Sequence, residues 1–181
     1  MSTIYLDNAA TTKVREEVVS VISSIIKKEY GNPSSTHSYG RSSKSLIESA
    51  RKEIADILNV KSSEIIFTSG GTEGDNMIIR NCVNNLGVSH IITTKIEHHA
   101  VTHTIDDLIR SNNINVSYVK VSKSGHVDLN DLEEILKRSD EKSLVSLMHI
   151  NNEIGNITDI QLVSEICQKH NSLFHSDTVQ S

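Results

Sequence analysis

The sequence predicts an α/β fold, a mostly parallel sheet with helices on both faces. Two observations predict it. From Glu64 onward, short apolar runs alternate with stretches whose apolar residues recur at helical spacing. The length of 181 residues, with 36% hydrophobic residues, is enough for one domain with its own core. Alternation of this kind builds βαβ units and so a parallel sheet.

The elements follow in order. Val14, Val18, Val21, Ile22, Ile25 and Ile26 mark a first amphipathic helix, with Gly31 after it as a stop. "YGNPSSTHSYG" is a loop dense in turn formers. Leu46, Ile47, Ala50, Ile54, Ile57 and Leu58 mark a second helix. Five strands are then predicted at "EIIFTS", "HIITT", "VSYVKV", "LVSLMHI" and "LFHSD". Between them lie helices at "TEGDNMIIRNCV", "HAVTHTIDDLIR", "LNDLEEILKR" and "IQLVSEICQKH". This divides the chain into an N-terminal segment with two helices, 1–60, and a sheet domain, 61–181.

Composition narrows the function classes. The formal net charge of −5 gives no basic surface for nucleic acid. No apolar run reaches membrane-spanning length. "MSTIYLDNAATT" has no basic region followed by an apolar core, so a cytoplasmic location is expected. Cys82 and Cys167 fall in predicted helices far apart. They form neither a disulfide framework nor a metal knuckle, and read as buried free thiols.

In open parallel sheets ligands bind beyond the carboxyl ends of the strands. Four segments lie there. "FTSGGTEGDN" turns through two glycines into a helix start, which favours a phosphate; equally, Thr72 and Asp75 have the spacing of a capping box. "EHHAVTH" offers His98 as a stacking ring or proton carrier, or His99 and His103 as a metal pair. The zincin glutamate is not in place, so no metal site is assigned. "MHINNEIGN" offers asparagine amides, or only a turn. "HSDTVQ" puts Asp177 and Gln180 after the last strand. A phosphate cradle, an imidazole, an amide and a carboxylate at one sheet edge suit a phosphorylated aromatic cofactor. Pyridoxal phosphate fits best.

The motifs "YLDNAATT", "GNPSS", "FTSGGTEGDN", "EHHAV", "MHINNEIG" and "HSDTVQS" run in order along essentially the whole chain. Together they resemble the N-terminal part of a cysteine desulfurase, in the class V aminotransferase group of fold-type I pyridoxal-phosphate enzymes. The resemblance implies that Gly71 and Thr72 hold the cofactor phosphate and that His98 stacks on the ring and acts as acid and base. It implies that Asn152 reaches the ring oxygen, that Asp177 pairs with the pyridine nitrogen and that Gln180 meets the ring hydroxyl. It also implies L-cysteine as substrate, an iron–sulfur scaffold or other sulfur acceptor as partner, and a homodimer.

The family's Schiff-base lysine, its nucleophilic cysteine, a substrate-clamping arginine and the C-terminal small domain lie downstream of "HSDTVQS". The expectation is therefore an incomplete large domain, cut before its last strands and inactive alone. Lys95, Lys169, Cys82 and Cys167 are poorly placed as substitutes. Another class V aminotransferase, a selenocysteine lyase, or a non-catalytic cofactor- or partner-binding domain are the alternatives.

Overall fold

The computed structural model describes residues 3–112 and 114–181. Its contacts divide the chain into two units, one through Phe67 and one from Thr68 to Ser181. The first unit holds α1 (Glu16–Lys28) and α2 (Ser38–Leu58), then a short 3-10 turn, Ser62–Glu64. Helix α2 starts earlier than its apolar spacing predicts, inside the turn-rich loop. The His37 ring caps it by accepting a hydrogen bond from the Gly40 N–H, at 3.4 Å. Gly40 is required there because a Cβ would overlap the carbonyls of Ser35 and Asn32. Helix α1 has no buried residue despite its apolar stripe.

The predicted strand "EIIFTS" is not one. Ile65 is extended, with φ −94° and ψ 120°, but residues 64–69 have no ladder partner among the described residues. A strand exists through its neighbour's hydrogen bonds. Here Arg51 donates to the Ile65 carbonyl instead, and its guanidinium lies 4.7 Å above the Phe67 ring.

The second unit contains the sheet. Its strands are β1 (His90–Thr93), β2 (Asn115–Tyr118), β3 (Ser143–Ser146) and β4 (Leu173–His175). All pairs are parallel, in the order β2-β1-β3-β4. Alternation along the strands divides the core in two. Ile91 and Leu144 point into one cluster with Ile79, Val101, Ile105 and Leu108, which belong to α3 (Gly71–Leu86) and α4 (His99–Asn112). Ile92 and Val145 point into the other with Leu132, Leu136 and Val163, which belong to α5 (Leu129–Lys137) and α6 (Ile160–Lys169). Helices thus cover both faces, as predicted. Every residue of β1 and β3 is buried, the signature of central parallel strands.

Each cluster also takes one cysteine, Cys82 or Cys167, both free thiols. Burial pushes the Cys167 thiol up to about 12 and raises that of Cys82, so neither offers a thiolate near neutral pH.

The strand order determines where a ligand belongs. From β1 the chain steps to β2 on one side, then returns to place β3 on the other. This is a topological switch point, and the segments leaving β1 and β3 diverge there to leave a crevice at their carboxyl ends.

Candidate active site

A cavity of about 240 Å³ lies at that switch point. The segment after β1, from Lys95 through His98 to His99, forms one wall, and Asn151–Ile154 after β3 forms the other.

His98 stands immediately before α4, with its ring exposed. Its Nδ1 accepts the Ala100 N–H at 3.1 Å, which caps the helix and fixes the ring. Nε2 is then the nitrogen left for chemistry. His99 and His103, the candidate metal pair, stack on each other at 4.8 Å. Among the described residues no third ligand joins them.

The two asparagines divide their tasks. Asn151 is buried; its amide donates to the Ile96 carbonyl at 2.7 Å, and its oxygen accepts from Glu153 and Ile154 at 2.9 and 3.0 Å. Those bonds close the turn and tie the two cavity walls together. Asn152 is half-buried and lines the cavity, with its amide on the Glu153 carboxylate at 3.2 Å. The turn reading of "NNEIGN" holds for Asn151, while Asn152 faces the cavity.

Gly71 and Thr72 open α3. The capping-box reading fails, because the N-cap is Gly70 and no side chain caps it. Glu73 instead accepts the Ser69 N–H at 2.6 Å, and its hydrogen bonds with Ser69 hold its carboxyl below the ordinary range. The first backbone N–H groups of the helix keep their partial positive charge for an anion. Gly71 allows a close approach: a Cβ there would meet Val179 Cγ2, on a largely exposed side chain. That contact joins the helix start to the turn carrying Asp177 and Gln180. Asp177 is buried, takes the Val179 N–H on its carboxylate at 3.0 Å, and accepts the His149 N–H on its carbonyl at 2.9 Å. Gln180 is half-buried in the same turn.

Glu97 and His175 were given no role from the sequence, and Asp75 was read there only as half of a capping box. Glu97 is buried behind His98, with Oε1 accepting from the Thr94 hydroxyl at 2.8 Å and the Met148 N–H at 3.2 Å. Burial pushes its carboxyl up to about 7, helped by the charges of Asp177 and Asp75. Asp75, far from capping α3, is buried 3.4 Å from His175 Nε2. The other His175 nitrogen lies 2.9 Å from the Ser146 hydroxyl. The available signal was their adjacency to motif residues and strand ends.

The family model for class-V aminotransferases matches residues 4–181. The chain belongs to the class-V aminotransferase family. Similar curated members of that family are cysteine desulfurases. One is the cysteine desulfurase IscS of Dictyoglomus turgidum, 44% identical over 98% of this chain and 45% of the relative. Another is that of Methanosarcina thermophila, 43% identical over 98% of this chain and 44% of the relative. This class-V aminotransferase chain thus spans about half the length of the curated relatives it matches, aligning with their N-terminal part. Among solved structures, a NifS-like protein superposes with a TM-score of 0.91 at 39% identity, covering 98% of this chain and 49% of that one. SspA in complex with cysteine superposes with a TM-score of 0.91 at 32% identity, covering 99% and 51%. No helix among the described residues is long and apolar enough to cross a membrane.

Proposed function

We propose that the chain is the N-terminal part of a pyridoxal-phosphate-dependent cysteine desulfurase. The intact protein converts L-cysteine to L-alanine and passes the sulfur, as a persulfide, to an iron–sulfur scaffold or other acceptor in the cytoplasm. It works as a homodimer. In this reading residues 1–60 are an N-terminal segment, and residues 61–181 are an incomplete cofactor-binding domain. The lysine that bonds the cofactor, the cysteine that takes the sulfur and the small domain are supplied by sequence beyond this chain.

The observation that carries the reading is the Gly71–Val179 contact. It sets a helix start with no side-chain cap directly against the turn of the buried Asp177 carboxylate. A phosphate at one end and a protonated ring nitrogen at the other suit that pairing. Gly71 and Thr72 would take the phosphate through backbone N–H groups and hydroxyl. Asp177 would hold the ring nitrogen charged, and Gln180 would meet the ring hydroxyl. His98 would cover the ring face and carry a proton on Nε2, while Asn152 would reach the ring oxygen. The cofactor would supply an electron sink for bond breaking on the substrate amino acid.

The test is titration of the purified chain with pyridoxal phosphate, followed by absorption before and after borohydride. Weak, reversible binding without a lysine adduct is expected, and Asp177→Asn should weaken it on the order of tenfold. Wild-type binding unaffected by that substitution sinks the site assignment. A borohydride-fixed adduct at one lysine, or alanine and sulfide released from cysteine at substantial turnover, sinks the claim that the chain lacks the reactive groups.

A further inference from the structure

Behind the cavity lies a buried group of ionisable side chains that the proposed cofactor contacts do not use. Asp75, Glu97, His175 and Asp177 are each 8% exposed or less. Three carboxyls and one imidazole share the interior, where an unpaired charge is costly.

The hydrogen bonds show where a proton fits. Glu97 Oε1 already takes two donors, the Thr94 hydroxyl and the Met148 N–H. Glu97 Oε2 is buried with no hydrogen-bond partner. Asp75 Oδ1 faces His175 Nε2, and Asp75 Oδ2 is likewise buried with no partner. As carboxylates, both groups would leave a buried, charged oxygen unsatisfied. A proton on Glu97 Oε2 removes the buried charge from that unpartnered oxygen. Burial and the charges of Asp177 and Asp75 favour the same form.

We propose that Glu97 is a positioning residue of the candidate site: its Oε1 clamps the His98 segment onto the chain leaving β3, and as the neutral acid it adds no second charge beside Asp177. The inference rests on the reading of His98 and Asp177 given above and adds the group that governs both. Around Glu97 the ionisable groups are Asp75 on α3, His175 and Asp177 at the end of β4, Lys95 and His98 in its own segment, His99 on α4, and Glu153 across the cavity. When Glu97 ionises it adds a second negative charge beside Asp177 and close to His98.

The test uses the chain labelled with ¹³C in glutamate carboxyls and ¹⁵N in histidine rings, titrated from about pH 5 to about pH 9. One glutamate should keep its acid form to near neutral pH, and its signal should vanish in Glu97→Gln. The His98 ring signals should follow that titration in wild type and lose this component in Glu97→Gln. Pyridoxal-phosphate affinity should fall on the order of tenfold across the alkaline step in wild type and stay level in Glu97→Gln. Glu97 titrating in the ordinary carboxylate range overturns the proposal. So does a His98 signal that ignores the step, or an alkaline weakening that survives in Glu97→Gln. A chain that shows both ligand-free signatures but binds no pyridoxal phosphate refutes the cofactor reading and upholds the role of Glu97 over His98.

Discussion

Asn151 and Asn152 are neighbours in sequence with opposite duties. Asn151→Ala strands the Ile96 carbonyl and the N–H groups of Glu153 and Ile154, so a loss of about 2 kcal/mol is expected in urea unfolding. Asn152→Ala, on the cavity wall, should stay within about 0.5 kcal/mol. Glu97 makes the chain's stability depend on pH with a definite sign. Its carboxyl is raised from the ordinary 4.5 to about 7, so in that window the folded chain keeps a proton that the unfolded chain releases. Its contribution is present in full below the lower value and lost as pH rises to the upper, on the order of 3 kcal/mol. Glu97→Gln should therefore be more stable than wild type at about pH 8, and the gap should close toward about pH 4. Equal pH slopes for the two proteins would refute this. His98, Asn152 and Asp177 were legible in the sequence because each follows a strand end. Asp75 and Glu97 were not, because their burial depends on segments far away in the chain.

Among the elements, α3 meets the Val179 turn at its start. Gly71→Ala sets a Cβ against Val179 Cγ2, but Val179 is 66% exposed and its methyl can turn away, so a cost within about 1 kcal/mol is expected. Val179→Ala opens the space, so the double variant should recover most of the loss. A double-mutant cycle with no coupling would show that the two do not meet. The central strands were readable from short apolar runs, Ile91–Ile92 and Leu144–Val145, set between helical stretches. "EIIFTS" has such a run, yet apolar residues only permit a strand; a paired neighbour makes one. The α2 boundary was hidden for a related reason. Ser, Thr, His and Gly are turn formers in general, but here His37 serves as the cap and Gly40 as the small residue of the first helical turn.

At the scale of the molecule, the clearest feature is uncovered apolar surface. Val18, Val21, Ile22, Ile25 and Ile26 are 41–73% exposed along one stripe of α1, which begins at Glu16, after Val14. Patches of that kind belong against another surface. The purified chain should self-associate with rising concentration in sedimentation, and Val18→Lys with Ile22→Lys should reduce this. A strictly monomeric wild type would oppose it. The amphipathic period of α1 was plain in the sequence. What the stripe packs against was not, since periodicity marks a face and carries no information about its partner.

The contact between Gly71 and Val179 also bears on the order of events in folding. The two residues are more than a hundred positions apart, and the turn holding Val179 is in place only once β4 has docked on β3. Closing so long a loop is among the slower steps for a chain of this kind. The pocket that would grip a phosphate is therefore assembled late, and a ligand spanning both sides would act as a brake on its opening. Amide hydrogen exchange in β4 would slow with ligand concentration, while exchange in α2 would proceed unchanged.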